Sequence, residues 1–191
     1  MNGSRCHVLK KLCPPILAIL VFLSGCVTQA PSPLARTEAN DLFHFTQFVE
    51  WPADSFADPN APLVIGVLGG NPFGIELDKA IGRRRINGHP VVLRQLTPLS
   101  NLKRYQVVFI DHSVAFRLPL IFYSATGGHT LTVSDAPGFV KAGGMIGFFT
   151  ENDKVRFEIN RTAVENAGLK INSELWMMAG HPTGGGAEKR H

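Results

Sequence analysis

Leu63-Val-Ile-Gly-Val-Leu68, followed at once by Gly69-Gly-Asn-Pro-Phe-Gly74, decides the fold class. The first six residues form an uninterrupted apolar run of strand length, the pattern of a strand covered on both faces. In the second stretch the glycines mark a turn, Asn71 suits a helix cap and Pro72 suits a first helical position. A helix is therefore predicted from 72 to about 82. A doubly covered strand leading into a helix opens a parallel α/β unit.

The same alternation continues outward. Val91-Val-Leu-Arg-Gln-Leu96 and Gln106-Val-Val-Phe-Ile-Asp111 read as a second and third strand, and a helical stretch over about 114–125 leads to a fourth at about 129–134. Upstream, Leu42, Phe45 and Val49 recur at helical spacing with Phe48 and Trp51 beside them, giving an amphipathic helix over 37–50 that Pro52 stops. Downstream, Met145–Thr150 and Val155–Asn160 flank the polar Glu151-Asn-Asp-Lys154, and Val155, Phe157 and Ile159 alternate with Arg156, Glu158 and Asn160. That is a β-hairpin with one buried face. Ile171, Leu175 and Met178 make the stripe of a last helix. The expected fold is a small three-layer (Rossmann-like) α/β domain, with a mostly parallel sheet, a C-terminal antiparallel hairpin and a terminal helix. A chain of 191 residues with 45% hydrophobic content is long enough to bury such a core without staples.

The ends carry an address. Residues 1–25 hold Arg5, Lys10 and Lys11, no acidic residue, and the apolar run Ile16–Leu23. This is the layout of an export signal, and the run is too short to span a bilayer. Leu23-Ser-Gly-Cys26 directly after it resembles the lipobox of bacterial lipoproteins, which implies lipid on Cys26 and cleavage before it. Removing the signal takes the formal charge from +4 to +1, because three of the 19 cations leave and all 15 acidic residues stay. Nucleic acid is then not an expected partner. Cys6 and Cys13 leave as well, so no disulfide is expected in the mature domain. The expected organisation is a signal over 1–25, a tether over 26–36, the α/β domain over 37–179 and a disordered Gly-rich tail over 180–191.

Catalytic signatures are weak. The glycines of 69–74 match neither a dinucleotide fingerprint nor a phosphate loop, because Ile75 and Glu76 stand where Lys and Ser/Thr are needed. Asp111-His112-Ser113 has triad residue types, but consecutive strand residues point to opposite faces and cannot form a relay. His44, His89, His112 and His129 show no metal-ligand spacing. No catalytic residue, metal or cofactor is expected. Arg83-Arg84-Arg85 suits the C-terminus of the first crossover helix. Ser134-Asp-Ala-Pro-Gly-Phe-Val-Lys-Ala-Gly-Gly144 leaves the last parallel strand at its carboxyl end, where ligands sit in open α/β sheets. A loop of that architecture and a binding site fit it equally well.

Several segments resemble the YfiR/HmsC-like family of periplasmic regulators. They are Phe48-Val-Glu-Trp-Pro52, Val64–Gly69 with Asn71-Pro-Phe-Gly74, Ile86-Asn-Gly-His-Pro-Val91, Leu131-Thr-Val-Ser-Asp135, Gly138-Phe139, Gly143-Gly-Met-Ile146, Val155–Asn160 and Ala167–Ile171, in order. The resemblance implies an exported, non-enzymatic inhibitor. Such an inhibitor binds the periplasmic sensor region of an inner-membrane diguanylate cyclase and lowers cyclic di-GMP and biofilm formation. It also implies release under envelope stress, sometimes through a second envelope lipoprotein. Thiol-based sensing, known in some relatives, is not expected of a mature chain without cysteines beyond Cys26. Val27 after the lipid cysteine favours the outer membrane, and a homodimer is left open. The contact surface is expected on the 145–160 hairpin and the 134–144 loop, with Trp51, Ser134, Asp135, Phe139, Gly143, Gly144, Phe148, Glu158 and Asn160 as candidate partner- or ligand-binding residues. The alternative is a periplasmic small-molecule-binding protein using the Gly-rich loops at the sheet edge.

Overall fold

A computed structural model of the chain describes residues 32–98 and 100–180. The expected signal, Cys26, residues 27–31 of the tether and residues 181–191 of the tail lie outside the described residues. The chain runs α1 (Pro33–Phe48), β1 (Val49–Glu50), β2 (Leu63–Leu68), α2 (Glu76–Ile81), β3 (Arg85–Ile86), β4 (His89–Leu96), β5 (Val107–Ile110), α3 (Leu118–Ala125), β6 (Leu131–Ser134), β7 (Ile146–Glu151), β8 (Lys154–Ile159), α4 (Arg161–Asn166), β9 (Lys170–Ile171) and α5 (Ser173–Met178). Seven strands form one sheet in the order β3-β4-β2-β5-β6-β7-β8. Neighbours are parallel from β4 through β7, and β3 and β8 add antiparallel edges. The expected mixed α/β sheet with its C-terminal hairpin and terminal helix is the observed one.

β5 shows how the layers arise. Its residues alternate between faces. Val107 and Phe109 pack under α1, α2, α4 and α5 with Leu42, Phe45, Phe73, Leu77, Val164 and Leu175. Val108 and Ile110 pack under α3 with Leu102, Leu118, Ile121 and Phe139. Each fully buried side chain of this kind contributes about 1.5–3 kcal/mol of hydrophobic stabilisation.

Several boundaries differ from the sequence pattern. α1 begins four residues before position 37, because Ser32 Oγ accepts from the Ala35 amide at 3.0 Å and Pro33 pre-sets the first turn. It ends where Val49 turns extended to pair with Ile171. α2 begins only at Glu76, since Asn71 Oδ1 is spent on the Phe73 amide at 3.1 Å and residues 72–75 form turns. The 114–125 stretch is a 3-10 helix over His112–Arg117 running into α3. Leu175 is buried, but Met178 is exposed and Ile171 belongs to β9, so the terminal stripe is narrower than expected. The hairpin turns through Asn152 and Asp153, both left-handed at φ near 50° and 57°.

Candidate functional site

Among its parallel strands the sheet has the order β4-β2-β5-β6-β7, so the chain's first parallel strand lies inside and the path reverses between β2 and β5. The carboxyl ends of strands at such a reversal make the crevice where open α/β sheets bind ligands. Here the crevice is occupied by the protein's own Asp111. Its Oδ1 accepts the Gly70 amide at 3.2 Å and the Ser113 amide at 3.0 Å, and the Ser113 hydroxyl also donates to it. A Cβ at position 70 would lie 3.1 Å from that same oxygen, so glycine lets the β2 end close on Asp111.

His112 turns toward Asp135, at the end of β6. Its amide donates to Asp135 Oδ1 at 2.8 Å, and its Nδ1 lies 2.8 Å from Asp135 Oδ2 and 3.5 Å from Asp111 Oδ2. The Asp135 hydrogen bond, with the charges of Asp135 and Asp111, raises the His112 pKa above its ordinary value. Glu38, in the second turn of α1, overhangs this group. Burial first, then the charges of Asp135 and Asp41, push its carboxyl up to about 7, against an opposing pull from His112. Burial also raises Asp41, with His44 acting the other way. Asp111-His112-Ser113 does not follow the strand alternation expected of it. The chain leaves the strand after Ile110, so Asp111 and Ser113 do meet. They still form no relay, because His112 bonds Asp135 rather than Ser113. Donor atoms of Asp111, His112 and Asp135 stand within 4.8 Å of one another, close enough to share a cation, a grouping that spacing along the chain did not reveal.

The opposite edge is closed by neutral hydrogen bonds, with the Asp54–His129 pair (3.4 Å) and Lys103 around the same cavity. Gln106, buried at the start of β5, accepts the Val64 amide on Oε1 at 2.8 Å and donates Nε2 to the Ser55 carbonyl at 2.6 Å. Its own carbonyl accepts Trp51 Nε1 at 3.1 Å. Beside this edge opens a cleft of about 420 Å³ lined by Phe122, Thr130, Thr132, Gly143, Met145 and Asn160 among others.

The nine candidate residues therefore separate. Trp51 is half-buried and tied to Gln106. Ser134 is fully buried, donating to the Ile110 carbonyl and accepting the Ala136 amide at 3.0 Å, so it shapes the loop. Phe139 is core, 5.6 Å from the Phe122 ring, and Gly144 has no room for a side chain because a Cβ would sit 2.1 Å from the Phe139 ring. Phe148 is core too, stacked on Phe45. Asp135 belongs to the carboxyl-edge cluster. Gly143 and Asn160 line the cleft, and Asn160 also caps α4 through the Ala163 amide at 3.0 Å. Glu158 pairs in register with Gly147 on the outer hairpin strand. Sequence reasoning missed Glu38, the pairing of His112 with Asp135, and the role of Gln106. The available signals were two predicted parallel strands, 106–111 and about 129–134, followed directly by His112 and Asp135, and a glutamine opening an otherwise apolar strand.

Compared with known protein families, residues 35–180 match the YfiR/HmsC-like family, which covers all but the first three described residues of the α/β body. The chain belongs to the YfiR/HmsC-like family. No curated protein sequence matches it. The family is regulatory and periplasmic, and in general terms it supports a regulator of diguanylate cyclase signalling rather than a catalyst. Among the described residues no helix is long and apolar enough to cross a membrane.

Proposed function

We propose that this chain is a lipid-anchored periplasmic repressor that binds the sensor region of an inner-membrane diguanylate cyclase and holds it inactive, lowering cyclic di-GMP and biofilm formation. The observation that carries the reading is the family match across residues 35–180. Repression needs only that the chain bind the inactive conformation of the sensor better than the active one. Lipid on Cys26 is supported by the Leu23-Ser-Gly-Cys26 motif after the apolar run, and Val27 favours the outer membrane. A second envelope lipoprotein that sequesters the repressor, and a homodimeric form, fit the same scheme. The contact surface is assigned to the β7–β8 hairpin and the 134–144 loop. There Glu158, Asn160 and Gly143 are the accessible members, while Phe139 and Phe148 hold the surface from beneath. Deletion should raise cyclic di-GMP and biofilm, and overexpression should lower both. Unchanged nucleotide levels in both strains would refute repression. Separately, Cys26→Ala should move the protein from the membrane to the soluble fraction.

A second reading, a periplasmic small-molecule-binding protein, is favoured by the cleft of about 420 Å³. That volume lies within the range of ligand sites. A ligand-induced rise in melting temperature that Asn160→Ala or Gly143→Val abolishes would establish it.

A further inference from the structure

α3 and the 3-10 helix before it carry a stripe that the fold does not use. Phe116, Leu120 and Tyr123 are spaced four and three residues apart, which puts them on one face, and they are 75%, 71% and 81% exposed. Beneath them Leu118 and Ile121 bury into the core, so the segment is amphipathic in both directions, with one apolar side inward and another outward. The surroundings of the stripe are basic. The Arg117 guanidinium lies 5.1 Å over the Phe116 ring, and the turn carrying Lys103 and Arg104 packs against α3. Between Asp78 and Asp135 the one acidic residue is Asp111, which is buried. Three large exposed apolar side chains flanked by Arg117 and Lys103, on a segment whose one acidic residue is buried, have the composition of a surface that lies in an anionic bilayer interface.

The start of the fold points to the same occupant. Ser32, which caps α1, is six residues after Cys26, a span of at most about 20 Å of extended chain. α1 begins at the carboxyl edge of the sheet, where Arg36 pairs with Glu76 at 3.2 Å and Glu38 feels the charges of Asp135 and His112. The 3-10 helix leading to Phe116 starts at His112, on that same edge. At the roughly 150–250 Å² that a large aromatic side chain buries, three such side chains cover at most about 750 Å², short of the ~800 Å² per partner of a typical stable protein interface. For a surface already held at a bilayer, a smaller area suffices.

We propose that Phe116, Leu120 and Tyr123, flanked by Arg117 and Lys103, dock this domain onto an anionic phospholipid surface. The inference rests on the lipid-anchor reading for its geometry, and its test removes that lipid. The chain from residue 26 onward with Cys26→Ser contains every residue of the described fold. In vesicle flotation it should partition onto a three-to-one mixture of phosphatidylethanolamine and phosphatidylglycerol more than onto pure phosphatidylcholine. Joint substitution F116S, L120S and Y123S should lower that partition at least tenfold while leaving the melting temperature nearly unchanged, because the three side chains are exposed. Replacing Arg117 or Lys103 by Gln should lower it about fivefold each on the anionic vesicles and hardly at all on phosphatidylcholine. The proposal is overturned if the parent does not float, or if parent and triple variant float equally. It is equally overturned if the stripe instead supports a concentration-dependent dimer that the triple variant loses without any change in flotation. Failure of lipid attachment is read separately, from the fractionation of Cys26→Ala in cells, so neither outcome hides the other.

Discussion

At the carboxyl edge of the sheet Glu38, Asp111, His112 and Asp135 form one ionisable group, whereas the opposite edge is closed by Trp51, Gln106, Val64 and Ser55 through neutral hydrogen bonds. Both edges hold the ends of the same parallel strands, and the raised pKa values of Glu38, Asp41 and His112 gather at one of them. The difference follows from which elements overhang them. α1 brings a carboxylate over strand ends that already carry two aspartates, while the segment on either side of Pro52 brings the Trp51 indole and the Ser55 carbonyl to Gln106. Lesions in the neutral hydrogen bonds should therefore be large and independent of pH. Lesions at the charged edge should be smaller and should change the shape of the pH profile.

The largest effect is expected from Gln106→Leu. It leaves the Val64 amide and the Ser55 carbonyl without their partner, and a buried unpaired group costs about 1–3 kcal/mol. Urea unfolding should show a loss of about 2–4 kcal/mol, equal at pH 5 and pH 8. A loss that varies strongly with pH would break the contrast.

Next comes Glu38→Gln. Folded Glu38 keeps its proton up to about pH 7, whereas its ordinary value is 4.5. The folded state therefore binds more protons between those values, and stability present below pH 4.5 is lost as pH rises through about 7. His112 acts in the same sense. Its folded pKa is raised, so its contribution is complete below its ordinary 6.5 and is lost as pH climbs through the folded value. Parent stability should thus fall between pH 5 and pH 8. Glu38→Gln should remove most of that slope and leave the variant about 1–2 kcal/mol more stable than the parent at pH 8, once partial exposure is discounted. Thermal melts across that range would show an unchanged slope if burial of Glu38 is not the cause.

The legibility of these regions in the sequence differed for the same physical reason. β2, β4, β5 and the β7–β8 hairpin follow from local pattern, because burial on one or both faces is written into consecutive or alternating apolar residues. β3 carried a signal that went unread: Asn87-Gly88, both at positive φ, is a two-residue hairpin turn joining Ile86 to His89. β1 and β9 are two residues each and exist only because Val49 and Ile171 meet across 122 positions of chain, so no local window contains them. The charged cluster is likewise non-local, drawing on positions 38, 111, 112 and 135. Ser134, Phe139, Gly144 and Phe148 read from the sequence as candidate binding residues, but their chemistry is that of loop and core construction. A sequence alone does not distinguish a residue that shapes a loop from one that the loop presents.

The smallest effect on stability, and the sharpest on ionisation, is expected from Asp135→Asn. Asparagine retains an oxygen for the His112 amide but removes the charge facing His112 Nδ1 and Glu38. Two downward shifts should follow from that one change, disfavouring the charged form of His112 and favouring that of Glu38. His112 loses its main stabilising partner, so its pKa falls back toward the ordinary value. Glu38 loses a like charge, so its raised pKa also falls, though burial, the larger cause, still holds it up. Because the His112 side chain is 64% exposed, the net change in stability at pH 7 should stay within about 0.5 kcal/mol. Side-chain NMR titration resolves both groups. If His112 titrates as in the parent, the Asp135 contact does not govern it, and the carboxyl edge is no more a coupled ionisable unit than the neutral edge opposite.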